Sequence, residues 1–60
     1  MKVEVKIDIK QGNEWTVQGE TKEFNTECRG RIKGYYKTLL NKRIKEGTIQ
    51  QYGNILIKEL

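Results

Sequence analysis

Residues 28–46, CRGRIKGYYKTLLNKRIKE, hold seven of the chain's twelve basic residues together with six large apolar ones. Laid out at about 100° per residue, Ile32, Tyr35, Tyr36, Leu39, Leu40 and Ile44 fall in one arc, the pattern of a helix that covers a core with one face. The opposite arc carries Arg31, Lys37, Lys42 and Lys45 with Thr38, Asn41, Gly30 and Gly34, and no acidic residue precedes Glu46. Arg43 projects near the middle of the apolar arc, where its stem can pack while its guanidinium reaches water. Gly47 suits a C-cap, because glycine takes the left-handed conformation without steric cost. Gly30 and Gly34 each cost about 1 kcal/mol against alanine inside a helix. The regular helix is therefore expected to start near Tyr35.

The sixty residues amount to one domain, 1–60, and a domain of this size buries only about 60% of the surface its unfolded chain exposes. One cysteine excludes an internal disulfide and the absence of histidine leaves no zinc set, so the usual staples of small domains are missing. Self-association is the remaining aid, and a homodimer is expected. With no apolar run long enough for a membrane span and no signal pattern at Met1, the expected location is cytoplasmic and no membrane partner is anticipated.

The net charge of +4 is unevenly placed. Residues 1–27 contain four lysines against six acidic residues, whereas residues 28–60 contain eight basic residues against two acidic. Such asymmetry points to an anionic partner for the second half, either nucleic acid or an acidic protein surface. The plainer reading of the same charges is a solvated helix face that keeps the protein soluble.

The first ten residues alternate strictly, with Val3, Val5, Ile7 and Ile9 on one face and Lys2, Glu4, Lys6, Asp8 and Lys10 on the other, which is a half-buried strand. Gln11, Gly12 and Asn13 read as a three-residue hairpin connection that sets Trp15 opposite Ile9, Val17 opposite Ile7 and Glu14 opposite Lys10. In that register Trp15 belongs to the core or its rim, and stacking on a nucleobase is the lesser reading. A second turn over residues 19–22 would bring Phe24 into a third strand, a single bent strand being the alternative. Asn25 or Thr26 can cap the helix. After Gly47, one or two strands are expected. Within Ile55, Leu56 and Ile57 the middle side chain must point away from its neighbours, so Leu56 needs a cover of its own. A homodimer contact through this last strand would supply it, and Leu56→Lys is then expected to yield monomeric or poorly folded protein.

Catalysis needs poised groups, and with no histidine, no serine, one cysteine and one aspartate the chain is not expected to be an enzyme or to carry a cofactor. Cys28 lies near a helix N-terminus beside Arg29 and Arg31, an arrangement that favours thiolate, but an ordinary small residue leading into a helix is the reading preferred here. The glycines at 30 and 34 do not form a phosphate loop, which ends in Gly-Lys-Ser or Gly-Lys-Thr. Phosphate neutralisation, by contrast, asks for cations in one accessible row, and Arg31, Lys37, Lys42 and Lys45 supply it, with Asn41 shaped to read a base edge. The expectation is an α+β domain, β-β-β-α-β with a possible final hairpin, in which one amphipathic helix packs on one face of a small antiparallel sheet. Its expected function is nucleic-acid binding, DNA or RNA, through Arg31, Lys37, Asn41, Lys42 and Lys45. The alternative is an inhibitor or adaptor that docks on an acidic surface of a larger protein.

Overall fold

The computed structural model describes residues 1–60. Its elements are β1 (Lys2–Gln11), β2 (Glu14–Glu23), α1 (Arg29–Glu46) and β3 (Gln51–Glu59), and the strands form one antiparallel sheet in the order β2-β1-β3. The α+β arrangement of one helix on an antiparallel sheet is as expected; there are three strands, two before the helix and one after it. β1 takes the centre because it alone buries four aliphatic side chains in alternation, Val3, Val5, Ile7 and Ile9. Onto these pack Ile32, Tyr36 and Leu40 from α1, Ile55 from β3 and Ile49 from the preceding loop, which completes the buried core.

The first hairpin differs from the sequence expectation by one residue. Gln11 pairs with Glu14, leaving only Gly12 and Asn13 in the turn, and Gly12 has φ 62° while Asn13 stays at negative φ. Glycine at the first central position is the signature of a type II′ turn, whose twist matches that of the flanking strands. The tighter turn sets Trp15 opposite Lys10 and Val17 opposite Asp8. Because side chains alternate along a strand, this one-residue slip moves Trp15 and Val17 from the helix-covered face to the open one. Thr16, Gln18, Glu20 and Lys22 take the inner positions instead, and no residue of β2 is buried.

Nor does the chain turn at residues 19–22. The β1–β2 ladder runs without interruption to Lys2 and Glu23, and the backbone N–H of Phe24 then donates to the Met1 carbonyl at 2.9 Å while the Met1 ammonium donates to the Phe24 carbonyl at 2.7 Å. Phe24 thus extends β2 and founds no third strand. Its ring meets Tyr35 and Tyr36 edge-on, with centroids 5.4 and 5.9 Å away, and so seals that end of the core.

α1 begins at Arg29, six residues before the start expected from its glycines. The N-cap is Cys28 and not Asn25 or Thr26, although the Thr26 hydroxyl accepts the Cys28 N–H at 3.1 Å one step earlier. Tertiary burial of Ile32 outweighs the propensity cost of Gly30 and Gly34, as packing commonly does over local preference. The other end is as expected: Gly47 has φ 80°, its N–H reaches the Ile44 carbonyl at 3.1 Å and the Thr48 N–H reaches the Arg43 carbonyl at 2.9 Å. β3 is one strand with a bulge, since Ile7 pairs with Ile55 but Ile9 with Tyr52. The extra residue lets Tyr52 and Ile55, three apart, share the inner face, and it leaves Leu56 opposite Lys6 on the outer one.

Candidate nucleic-acid interface

Burial of Ile32, Tyr36 and Leu40 fixes the rotation of α1 about its axis and thereby decides which side chains face away from the sheet. Arg31, Lys37, Asn41, Lys42 and Lys45 are all exposed on that side. At 1.5 Å per residue, Arg31 to Lys45 spans about 21 Å along the helix. Asn41 lies one turn from both Lys37 and Lys45, so an amide flanked by two ammonium groups occupies the middle of the row.

The seven cations of the helix divide into two classes. Arg29 donates to the Ile57 carbonyl at 3.1 Å and pairs with Glu59 at 3.9 Å, so its guanidinium covers the outward-pointing backbone of β3. Arg43, half-buried, donates to the Gln18 side-chain oxygen at 3.4 Å across the gap between α1 and β2. These two arginines hold the helix to the strands at its two ends. Arg31, Lys33, Lys37, Lys42 and Lys45 contact no carboxylate, as the Arg29–Glu59 pair is the one ion pair in the molecule. Lys33 is an addition to the residues expected from sequence. It sits at the margin of the apolar arc, and only the observed rotation of the helix leaves it exposed.

Between α1 and β2 runs a cleft of about 150 Å³ with Val5, Ile7 and Ile9 as its floor and Leu39, Leu40 and Tyr36 along the helix side. Gln18, Glu20 and Arg43 line its rim. The Tyr36 hydroxyl donates to the Glu20 carboxylate, and burial, with this hydrogen bond next, pushes the phenol well above its ordinary value of 10.0. Beside it, from the next inner position of β2 to the adjacent tyrosine, the Lys22 ammonium donates to the Tyr35 hydroxyl at 2.9 Å and lies 4.9 Å from the centre of that ring; the hydrogen bond raises the Lys22 pKa. These polar bridges tie a strand with no buried residue to the helix. They are structural contacts, and they leave the cationic face of α1 untouched.

No three His, Cys, Asp or Glu side chains converge into a metal-binding group, and no helix is long and apolar enough to cross a membrane. Cys28 is exposed at the start of the helix. No protein-family model, curated protein or solved structure matches the chain.

Proposed function

We propose that this chain is a small non-enzymatic nucleic-acid-binding protein that engages the phosphate backbone through the outer face of α1. The observation that carries the reading is the set of exposed cations Arg31, Lys37, Lys42 and Lys45, none of which has a carboxylate partner in the molecule. The cations of this chain that tie elements together have polar partners, Arg29 with the Ile57 carbonyl and Glu59, Arg43 with Gln18 and Lys22 with the Tyr35 hydroxyl. Cations left in a row on a rigid helix raise the local concentration of a polyanion and release its counterions on contact. Asn41 in the middle of that row presents both a donor and an acceptor, the pattern that matches an adenine edge.

The test is fluorescence anisotropy of labelled duplex DNA, single-stranded DNA and RNA across a salt series. With four phosphate contacts, the logarithm of the association constant for duplex falls against the logarithm of salt with a slope of about −3 to −4. The triple variant K37E/K42E/K45E abolishes binding, while circular dichroism stays unchanged because all three side chains are exposed. An acidic protein surface is the other occupant of the same chemistry. Binding to no polymer at low salt, together with capture of one acidic protein, would replace the nucleic-acid reading with that one.

A further inference from the structure

We infer that the open face of the sheet, opposite the helix, is a second contact surface, on which the Trp15 indole stacks with an unpaired base of single-stranded nucleic acid. Trp15 is 51% exposed. Its Cζ3 atom nonetheless comes within 3.4 Å of the point that a Cβ on Gly53 would occupy. Trp15 stands on β2 and Gly53 on β3, with β1 between them, so the two backbones are about 10 Å apart. An indole that bridges this distance lies along the sheet and does not stand up from it. About half of its surface stays open to solvent.

Gly53 gives the arrangement its second support. Its φ is not in the left-handed region, where only Gly12 and Gly47 lie, so the backbone does not call for glycine here. What a side chain would meet is Asp8 Cβ at 3.3 Å and the Trp15 ring at 3.4 Å. The missing Cβ clears the bed in which the indole rests. Trp15 is thus held as a platform, a role that suits stacking because every base has a π-face to offer.

The charges of this face are mixed, with the Asp8 side chain beside the indole, and the nearest cations are the ones placed for a strand's phosphates. The outer face carries Lys2, Lys6, Lys10 and Lys58 against Glu4, Asp8 and Glu23, and none of these groups is in an ion pair. Lys10 lies directly opposite Trp15 and Lys6 is four residues along the same strand, about 13 Å away at the strand rise. A base seated on the indole therefore has ammonium groups beside it for the flanking phosphates, and Val17 extends the apolar surface along β2. Bases of a duplex already stack on one another, which is why the platform takes a single strand. The inference takes only the class of ligand from the nucleic-acid reading of α1; the face, the residue and the mode of contact are separate.

Trp15 is the only tryptophan, so its emission reports this site alone. The probe is an oligomer of about twelve deoxythymidines, added while emission is followed and, in a labelled form, while anisotropy is followed. Expected are quenching by the single strand, an approximately tenfold loss of single-strand affinity in Trp15→Leu, near-complete retention in Trp15→Phe, and unchanged duplex affinity in both. Single-strand binding without quenching, or with equal affinity in Trp15→Leu, would overturn the inference and leave the helix reading standing. No binding of any polymer removes both. A shift of Trp15 emission with protein concentration alone assigns this face to a second copy of the chain and overturns the inference as well.

Discussion

Tyr36 shows how one side chain joins packing to pH. It is 3% exposed, its ring meets Phe24 and Tyr35 edge-on, and its hydroxyl is spent on Glu20. Burial and that hydrogen bond both favour the protonated phenol, so the folded-state pKa lies above the unfolded value of 10.0. Above pH 10 the unfolded chain releases this proton while the native chain keeps it; the native state then binds more protons, and rising pH favours unfolding. Urea denaturation should show a contribution from Tyr36 that is constant below pH 10 and declines beyond it. Tyr36→Phe keeps the ring and loses the hydroxyl, for a cost of about 1 kcal/mol at pH 7 and a flatter alkaline decline. Part of this was readable in advance, since the apolar arc of residues 32–44 requires at least one of the adjacent tyrosines to be buried. Glu20 as the partner was not readable, because it depends on β2 running straight where a turn was expected.

At the scale of the element, the helix face was legible and the hairpin register was not. All five expected site residues are exposed on α1, but of the six residues of the expected apolar arc only Ile32, Tyr36 and Leu40 are buried, while Tyr35, Leu39 and Ile44 stay exposed because the thin sheet covers a narrower stripe than the arc. Strand register lacks the redundancy of a helical period. Gly12-Asn13 and Gln11-Gly12-Asn13 are both serviceable turns, and choosing between them moves every side chain of β2 to the other face. The apolar pattern of β2 favoured the wrong choice, since Trp15 and Val17 look like core residues until they are placed on the open side. Helix propensity misled in a similar way at Gly30 and Gly34. A Cβ on Gly34 meets nothing within 4 Å, and the residue is in ordinary helical conformation. Gly34→Ala should therefore stabilise the fold by up to about 1 kcal/mol, read as a higher denaturation midpoint with an unchanged urea slope. A lower midpoint would mean that the helix bends at Gly34 in solution.

The whole molecule is thin, 34 × 19 × 14 Å, one helix on one sheet with nine buried residues. Such a body has two accessible faces, and both carry candidate contacts: cations on the helix side, Trp15 on the sheet side. Leu56, 63% exposed beside Lys6, belongs to the sheet side. Because it contributes nothing to the core of the single chain, Leu56→Lys should change stability by less than about 0.5 kcal/mol, so of the two outcomes expected from sequence, monomeric or poorly folded protein, the first is the one to look for. Its elution volume therefore reads association alone. A larger volume than that of the wild type would support the expected homodimer, and an equal volume would argue against Leu56 in its interface. Arg29 bears on the same question, as its hydrogen bond to the Ile57 carbonyl occupies part of the β3 edge that such pairing would use. The amphipathic helix, its cationic outer face, the alternating central strand and the glycine at the helix end were all legible in the residue order, because each follows from periodicity or a single residue's φ within one continuous segment. The strand order, the face on which Trp15 lies, the pairing of Arg29 with Glu59 and the exposure of Lys33 come from the folded arrangement alone. Those depend on which distant segments meet, and a one-residue choice at a turn changes that outcome without altering any local preference.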